Sequence, residues 1–215
     1  MRNCSAQAVL CTEVKHAAFL KTDRPVAVWT DSLYGGLFDY YQTFTGLEWK
    51  RKGGDTAVKT VEVLNKKGIR TEITFLGTDP ARHLTHVPDF VKRTGFLSLA
   101  KPDERSRMEQ LYRNAHFLIQ PSRAECFGHI FPEANSFALP AITSNTGGIP
   151  TAVHEGINGY CVDPESVSGY AECIGRLFSN PDQYRVLAMN AFDDYTDRLS
   201  WRQTVRRVRD MLIEL

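Results

Sequence analysis

The sequence has no apolar run approaching the roughly 18 residues that a membrane-crossing helix requires, which excludes a helical span as a basis for its function. It also has no CxxC pair. Its five cysteines (Cys4, Cys11, Cys126, Cys161 and Cys173) form an odd set without metal-ligand spacing, so reduced thiols are expected and a disulfide framework or zinc site is not. Charge of one sign is equally lacking. With 26 Lys and Arg against 25 Asp and Glu, the net charge is +1, too little for a global field that would draw in nucleic acid or anionic lipid. Basic residues gather only at WKRKGG (49–54) and WRQTVRRVR (201–209), each read as a solvated helix end or face. No G-x-G-x-x-G follows a predicted strand, which removes a dinucleotide oxidoreductase. There is no internal repeat and no low-complexity tract. The opening MRNCSAQAVLC is too polar for a secretory signal.

What is present is a globular composition, 42% apolar over 215 residues, with a regular alternation of helix and strand periods from about residue 55. The spacing predicts a helix over 55–68 stopped by Gly68, then strands over 71–77 and 91–97. A helix over 103–115, with acids first and bases later, leads to an apolar strand over 116–122. Next come a helix over 128–139, a strand over 140–145, the turn TGGIP, a short helix over 151–156 and a strand over 160–164. Helices over 166–179, 182–198 and 201–214 finish the chain. Strands alternating with helices at this spacing imply right-handed βαβ units: an α/β, Rossmann-like parallel sheet with helices on both faces. Ligands bind such sheets beyond the carboxyl ends of the strands, where Gly77, Ser122 and Thr146 fall.

The densest chemistry lies in AECFGHIFPEANSFALPAITSNTGGIP (124–150), where Glu125 and Glu133 stand eight positions apart. A helix opening at Gly128 would leave backbone N–H groups and partial positive charge for an anion, and the glycine would admit it closely. Glu133 would then lie about 7.5 Å further along the axis. Two carboxylates at different depths beside an anion site match a nucleotide sugar: hexose at one end, ribose diol at the other, diphosphate between. Taken alone, two glutamates at this spacing arise by chance, Glu125 as a loop residue and Glu133 solvating its helix.

The pair does not stand alone. PSRAECFGHIFPEANSFALPAITSNTGGIPTAVHEGINGYCVDP resembles the signature of retaining glycosyltransferases with the GT-B fold, in the large family 4 group: an E-x7-E motif in a PSR-x-E-x-FG block, then Gly-Gly and Asn-Gly turns. The resemblance runs from about Gly46 to the C-terminus. It implies that Glu125 contacts the transferred sugar, that Glu133 holds the ribose, and that backbone N–H groups at Phe127, Gly128 and His129 receive sugar hydroxyls and diphosphate. For His129 and Arg123 the sequence leaves packing and loop-holding beside ligand contact. Asn145, Thr146, Gly147 and Gly148 would form the turn facing the donor sugar. A GR-x4-KG stretch in the family neutralises the leaving diphosphate; here GLEWKRKG keeps Gly46, Lys52 and Gly53 but has Leu47 for the arginine, leaving Lys52 with Arg51 in support. Thr151 replaces a glutamate and Ala138 a glycine of the pattern.

The implied reaction moves a sugar from a nucleoside diphosphate sugar to a glycan, lipid or small-molecule acceptor with retained configuration, using no cofactor and no metal ion. The expected location is cytoplasmic, with a peripheral position at the inner membrane as its variant. Residues 46–215 would form the donor-binding domain with its C-terminal helices, and residues 1–45 a remnant of the acceptor domain. The sheet is expected either to lack its usual first strand or to recruit PVAVWT (25–30) for it. An exposed cleft face would favour a homo-oligomer. Two readings remain open: a working transferase, or a nucleotide-sugar-binding module without transfer.

Overall fold

The protein was analysed as a computed structural model, which describes residues 48–213 and the backbones of two earlier strands, Val9–Cys11 and Val26–Val28. The strands are β1 (Val9–Cys11), β2 (Val26–Val28), β3 (Ile73–Leu76), β4 (Val91–Gly95), β5 (Leu118–Gln120), β6 (Ala141–Ser144) and β7 (Gly159–Val162). The helices are α1 (Gly54–Lys66), α2 (Pro102–Asn114), α3 (Ile130–Asn135), α4 (Ile149–Ala152), α5 (Val167–Phe178), α6 (Pro181–Asp194) and α7 (Trp201–Ile213). Every strand pairing is parallel, as the alternation of periods requires.

The helices sit where their end signals put them. Gly68 ends α1: its N–H donates to Asn65 O and the next N–H donates to Leu64 O, each at 3.0 Å, satisfying carbonyls the helix leaves unpaired. Pro102 opens α2 with Asp103 and Glu104 in its first turn. Ser166 and Asn180 cap α5 and α6 by accepting from the N–H groups of Gly169 and Gln183. Alternation along the strands then sorts the layers. Ile73, Phe75 and Ile119 turn to α1, while Phe117, Ile142, Tyr160 and Val162 turn to the core shared by α1, α5 and α6. Leu76 and Leu118 turn the other way, to the cluster of Met108, Tyr112, Ala134 and Leu139. Ala141 and Cys161 follow them onto Phe131, Ile149 and Ala152 of α3 and α4. The architecture is thus the Rossmann-like parallel sheet covered on both faces. Cys126, Cys161 and Cys173 are free thiols, and burial pushes the last two up to about 11.

Four features differ from the sequence expectation. The helix expected from Gly128 begins at Ile130 and ends at Asn135, because Gly128 at φ 78° turns the chain before the helix starts. The helix expected over 151–156 is Ile149–Ala152, set earlier by Pro150 in its first turn. The helix expected over 182–198 stops at Asp194 and continues as a π-helical turn, Tyr195–Leu199. Finally, the described strands form more than one ladder. β3 pairs with β4, and β5, β6 and β7 pair in that order, with no described strand between β3 and β5. β2, inside PVAVWT, pairs instead with β1, a strand the sequence pattern did not mark.

Candidate functional site

Two turns and one loop meet at the carboxyl ends of β5 and β6. The turn 49–53 ahead of α1 lies directly on Pro121: Gly53 has φ 73°, and a Cβ there would stand 2.0 Å from the Pro121 carbonyl oxygen, so only glycine fits. The turn after β6 lies equally close to the loop 124–128. A Cβ on Gly147 would stand 2.1 Å from Glu125 O, and one on Gly148 1.7 Å from Cys126 O. In place of side chains, the Gly148 N–H donates to Glu125 O at 3.1 Å.

These contacts bring the predicted charges together. The Lys52 Nζ donates to Glu125 Oε2, Arg51 Nη1 lies 3.8 Å from the same oxygen, and the Glu125 side chain is only 9% exposed. Arg51 also donates to Ala124 O and pairs with Glu48. Burial lowers the pKa of Lys52 below the ordinary lysine range. The hydrogen bond and charge of Glu125 oppose that shift without cancelling it, and Arg51 adds to it. A lysine in this state is a desolvated cation held by one carboxylate, where an anion meets little competing water.

One cavity of about 1770 Å³ is lined by Arg51, Lys52, Glu125, Phe127, Gly128, His129, Thr146 and Gly147. Glu133 and Gly148 are not among its lining residues. Glu133 is the fourth residue of α3, closer to the helix start than expected, and its Oε1 receives a long 3.5 Å hydrogen bond from the Tyr112 hydroxyl. Gly148 carries the backbone bond already described. The His129 ring meets the Phe127 ring edge-on at 5.5 Å, the packing contact expected as one of its readings. Asn145 holds the turn through its N–H, which donates to Val162 O at 3.1 Å. Leu47 and Gly46 lie outside the described residues.

Arg123 holds loops together. Its guanidinium makes paired bonds to Asp55 Oδ1 and Oδ2 at 2.9 and 3.0 Å, bonds both oxygens of Glu165 and reaches Lys50 O. Its backbone N–H donates to Arg51 O at 2.7 Å. One side chain therefore ties the Lys52 turn, the Glu125 loop and the loop after β7. For Asp55, burial pushes the pKa up, but the hydrogen bonds and charge of Arg123 outweigh it and hold the carboxyl below its usual range. Sequence reasoning missed Asp55, Glu165 and Tyr112, since nothing local marks partners so distant along the chain. Trp49 was missed too; it stacks on His83 at 5.0 Å beneath the same turn. Among the described residues no group of three or more His, Cys, Asp or Glu side chains could hold a metal ion, and no helix is long and apolar enough to cross a membrane.

Residues 41–180, which hold both turns and the loop, match the family Glycosyl transferases group 1. This chain belongs to the group 1 glycosyl transferases. Among curated proteins it is similar to a D-inositol 3-phosphate glycosyltransferase of Nocardiopsis dassonvillei, 31% identical over 62% of this chain and 29% of the relative. It is also similar to one of Thermobifida fusca, 29% identical over 57% of this chain and 28% of the relative. The match spans less than a third of either relative's length. Among solved structures, the C-terminal domain of the group 1 protein LpcC from Francisella tularensis superposes with a TM-score of 0.60 at 22% identity, over 71% of this chain and 82% of that one. Anabaena HepE in complex with UDP and glucose superposes at 0.63 and 16% identity, over 98% and 64%. The shared fold of this group 1 chain is the C-terminal half of a GT-B glycosyltransferase.

Proposed function

We propose that this chain is the nucleotide-sugar half of a retaining, family 4 glycosyltransferase, moving a sugar from a nucleoside diphosphate sugar to a glycan, lipid or small-molecule acceptor. The observation that carries the reading is the convergence of Lys52 and Arg51 on Glu125 beside the Thr146–Gly148 turn. With α3 only six residues long, its dipole is a weak anion trap, so the attraction for a diphosphate rests on the two side-chain cations. Arg51 takes the part of the arginine that Leu47 does not supply. As the bond from the sugar's anomeric carbon to the diphosphate breaks, negative charge grows on the leaving oxygens, and preplaced cations in a partly dry site lower that barrier. Glu125 would turn from Lys52 to the donor sugar, and Glu133 would take the ribose diol. Residues 46–215 form the donor unit in this reading, and residues 1–45 belong to the acceptor side. It places the protein in the cytoplasm.

The test is calorimetry of UDP, GDP and ADP binding to the chain, with Glu133→Ala beside it. One nucleotide should bind, and the substitution should weaken it by about 10- to 150-fold, the worth of one charge-assisted bond. Glu125→Gln separates the roles further: with the competing carboxylate gone, nucleoside diphosphate should bind several-fold tighter while sugar transfer falls. If no nucleotide binds to folded protein, the reading is wrong. Binding without transfer to any acceptor would leave the binding-module alternative.

A further inference from the structure

α4 is a single helical turn, Ile149–Ala152, yet the segment leading into it meets the Glu125 loop. Gly147 and Gly148 press on Glu125 O and Cys126 O there, and the Gly148 N–H donates to Glu125 O at 3.1 Å. A helix this short does not hold its shape alone, because one turn of bonds scarcely repays the dihedrals it fixes. Ile149, Ala152 and Val153 bury its apolar side against Phe131 and Ala141. That packing is non-directional, and it leaves the carbonyls at the helix end to other partners.

Those carbonyls are met by Arg198. Its Nη1 donates to Thr151 O at 2.7 Å and its Nη2 to Ala152 O at 3.0 Å. Both carboxylate oxygens of Asp194 hold the guanidinium in turn, each at 2.7 Å, and only 22% of the side chain is exposed. Asn158 completes the group. Its Nδ2 donates to Ala152 O and to Asp194 Oδ2, each at 2.9 Å, and its Oδ1 accepts from the His154 N–H at 2.7 Å. Arg198 arrives on the π-helical turn Tyr195–Leu199, closed by the Ser200 N–H on Tyr195 O at 2.7 Å. Such turns are rare inside helices and recur at functional positions.

We propose that Arg198, oriented by Asp194, is a positioning residue for the Thr146–Gly148 turn and, through it, for the Glu125 loop. The proposal rests on the nucleotide-sugar reading of that site. The guanidinium grips two successive carbonyls at the end of α4, about 6 Å from the helix start at 1.5 Å per residue. A planar fork on two acceptors fixes direction as well as distance, which the apolar packing beneath α4 does not. With α4 locked, the backbone of 146–148 faces the donor sugar in one arrangement, so little binding energy goes into ordering it. The role is exerted through α4, not by contact with the donor.

Hydrogen exchange and nucleotide affinity of the full chain test this. Asn180→Ala, which removes the cap of α6 and so lowers Tm without touching α4, serves as the control. In Arg198→Ala the amides of 148–153 should exchange at least about 10-fold faster than in the control, while β6 stays protected. Arg198→Lys keeps the charge but cannot fork, and should fall between. The second readout is the affinity of UDP-glucose relative to UDP, GDP-mannose relative to GDP, or ADP-glucose relative to ADP, whichever pair binds. In Arg198→Ala that ratio should drop by about 3- to 10-fold, the worth of one neutral hydrogen bond, whereas a merely structural tie would leave it unchanged. Exchange at 148–153 that matches the control, exchange that spreads equally to β6, or an unchanged ratio overturns the proposal. If Arg198→Ala does not fold, Arg198→Lys and Asp194→Asn should show the same local effects in smaller measure, and their absence overturns it equally. A wild type that binds no nucleotide would sink the site reading instead, and exchange at 148–153 would then decide the positioning by itself.

Discussion

The two halves of the sheet are built from similar strands yet held in different ways. Around β6 the layers close completely: Ala141, Ile142, Thr143 and Ser144 are all buried, and even their polar groups are paired, Thr143 to Gln120 O and Ser144 to Ser122 O. A further network of Asn158 with Asn135, Ala152 O and Asp194 pins α6 across α3 and α4. Around β3 and β4 only one residue of each strand is buried, and the strands carry Thr74, Lys92 and Arg93. The E-x7-E motif hangs from the closed half, while Lys52 and Arg51 enter from the turn ahead of α1. The difference teaches that the carboxylate side of the site is set by a finished core, and that the cation side reaches it through a few polar ties.

The largest effect should come from cutting that core on each side. Ile142→Ala, in the closed half, should cost about 3–5 kcal/mol in urea unfolding. Ile73→Ala, in the β3–β4 half, should cost less, about 2 kcal/mol, because fewer of the residues in its strands are buried. Equal losses would mean that the two halves are packed equally tightly.

Next in size is the brace between the halves. Arg123→Lys keeps the charge but loses the fork to Asp55 and Glu165. It should lower stability by about 1–2 kcal/mol and weaken nucleotide binding, as the Lys52 turn loosens from the Glu125 loop. The brace also predicts an acid response. Asp55 has a folded pKa below its ordinary value of 3.8, so its contribution is fully present above that pH and lost as pH falls through the folded value. Because Asp55 is partly solvated, the amount is about 1 kcal/mol or less. The stability gap between the wild type and Asp55→Asn should therefore close on acidification below pH 3.8 and stay constant between pH 5 and 7. A gap that survives to pH 2 would mean Asp55 acts by packing alone.

The smallest effect is a gain. Ala138 has φ 56°, the only described non-glycine residue in the left-handed region, at the position where the family pattern has glycine. That conformation costs a side-chain-bearing residue about 1–2 kcal/mol. Ala138→Gly should relieve about 1 kcal/mol, seen as a rise of a few degrees in Tm, without changing the site. It tests whether the half around β6 carries strain at this position.

Most of this fold was legible because its signals are local. Apolar periodicity marked each strand from β3 onward, and Gly68 marked the end of α1 through bonds made within a few residues. The start of α3 was not legible: Gly128 looks like a helix opening but is a left-handed turn, fixed by the Phe131 ring, against which a Cβ would collide at 2.3 Å. The site was legible where glycines and charges cluster in one stretch. Asp55, Glu165 and Arg123 were not, since their bonds join residues 42 and 68 positions apart.

By itself the sequence determined the parallel α/β architecture, the family and the residues that carry charge at the rim, because periodicity, turns and motif spacing are properties of short segments. Tertiary structure alone decided that Lys52 and Arg51 face Glu125 and that Arg123 braces the loops. Each of these depends on which distant segments share a surface, and chain proximity in space is not written in any one stretch of residues.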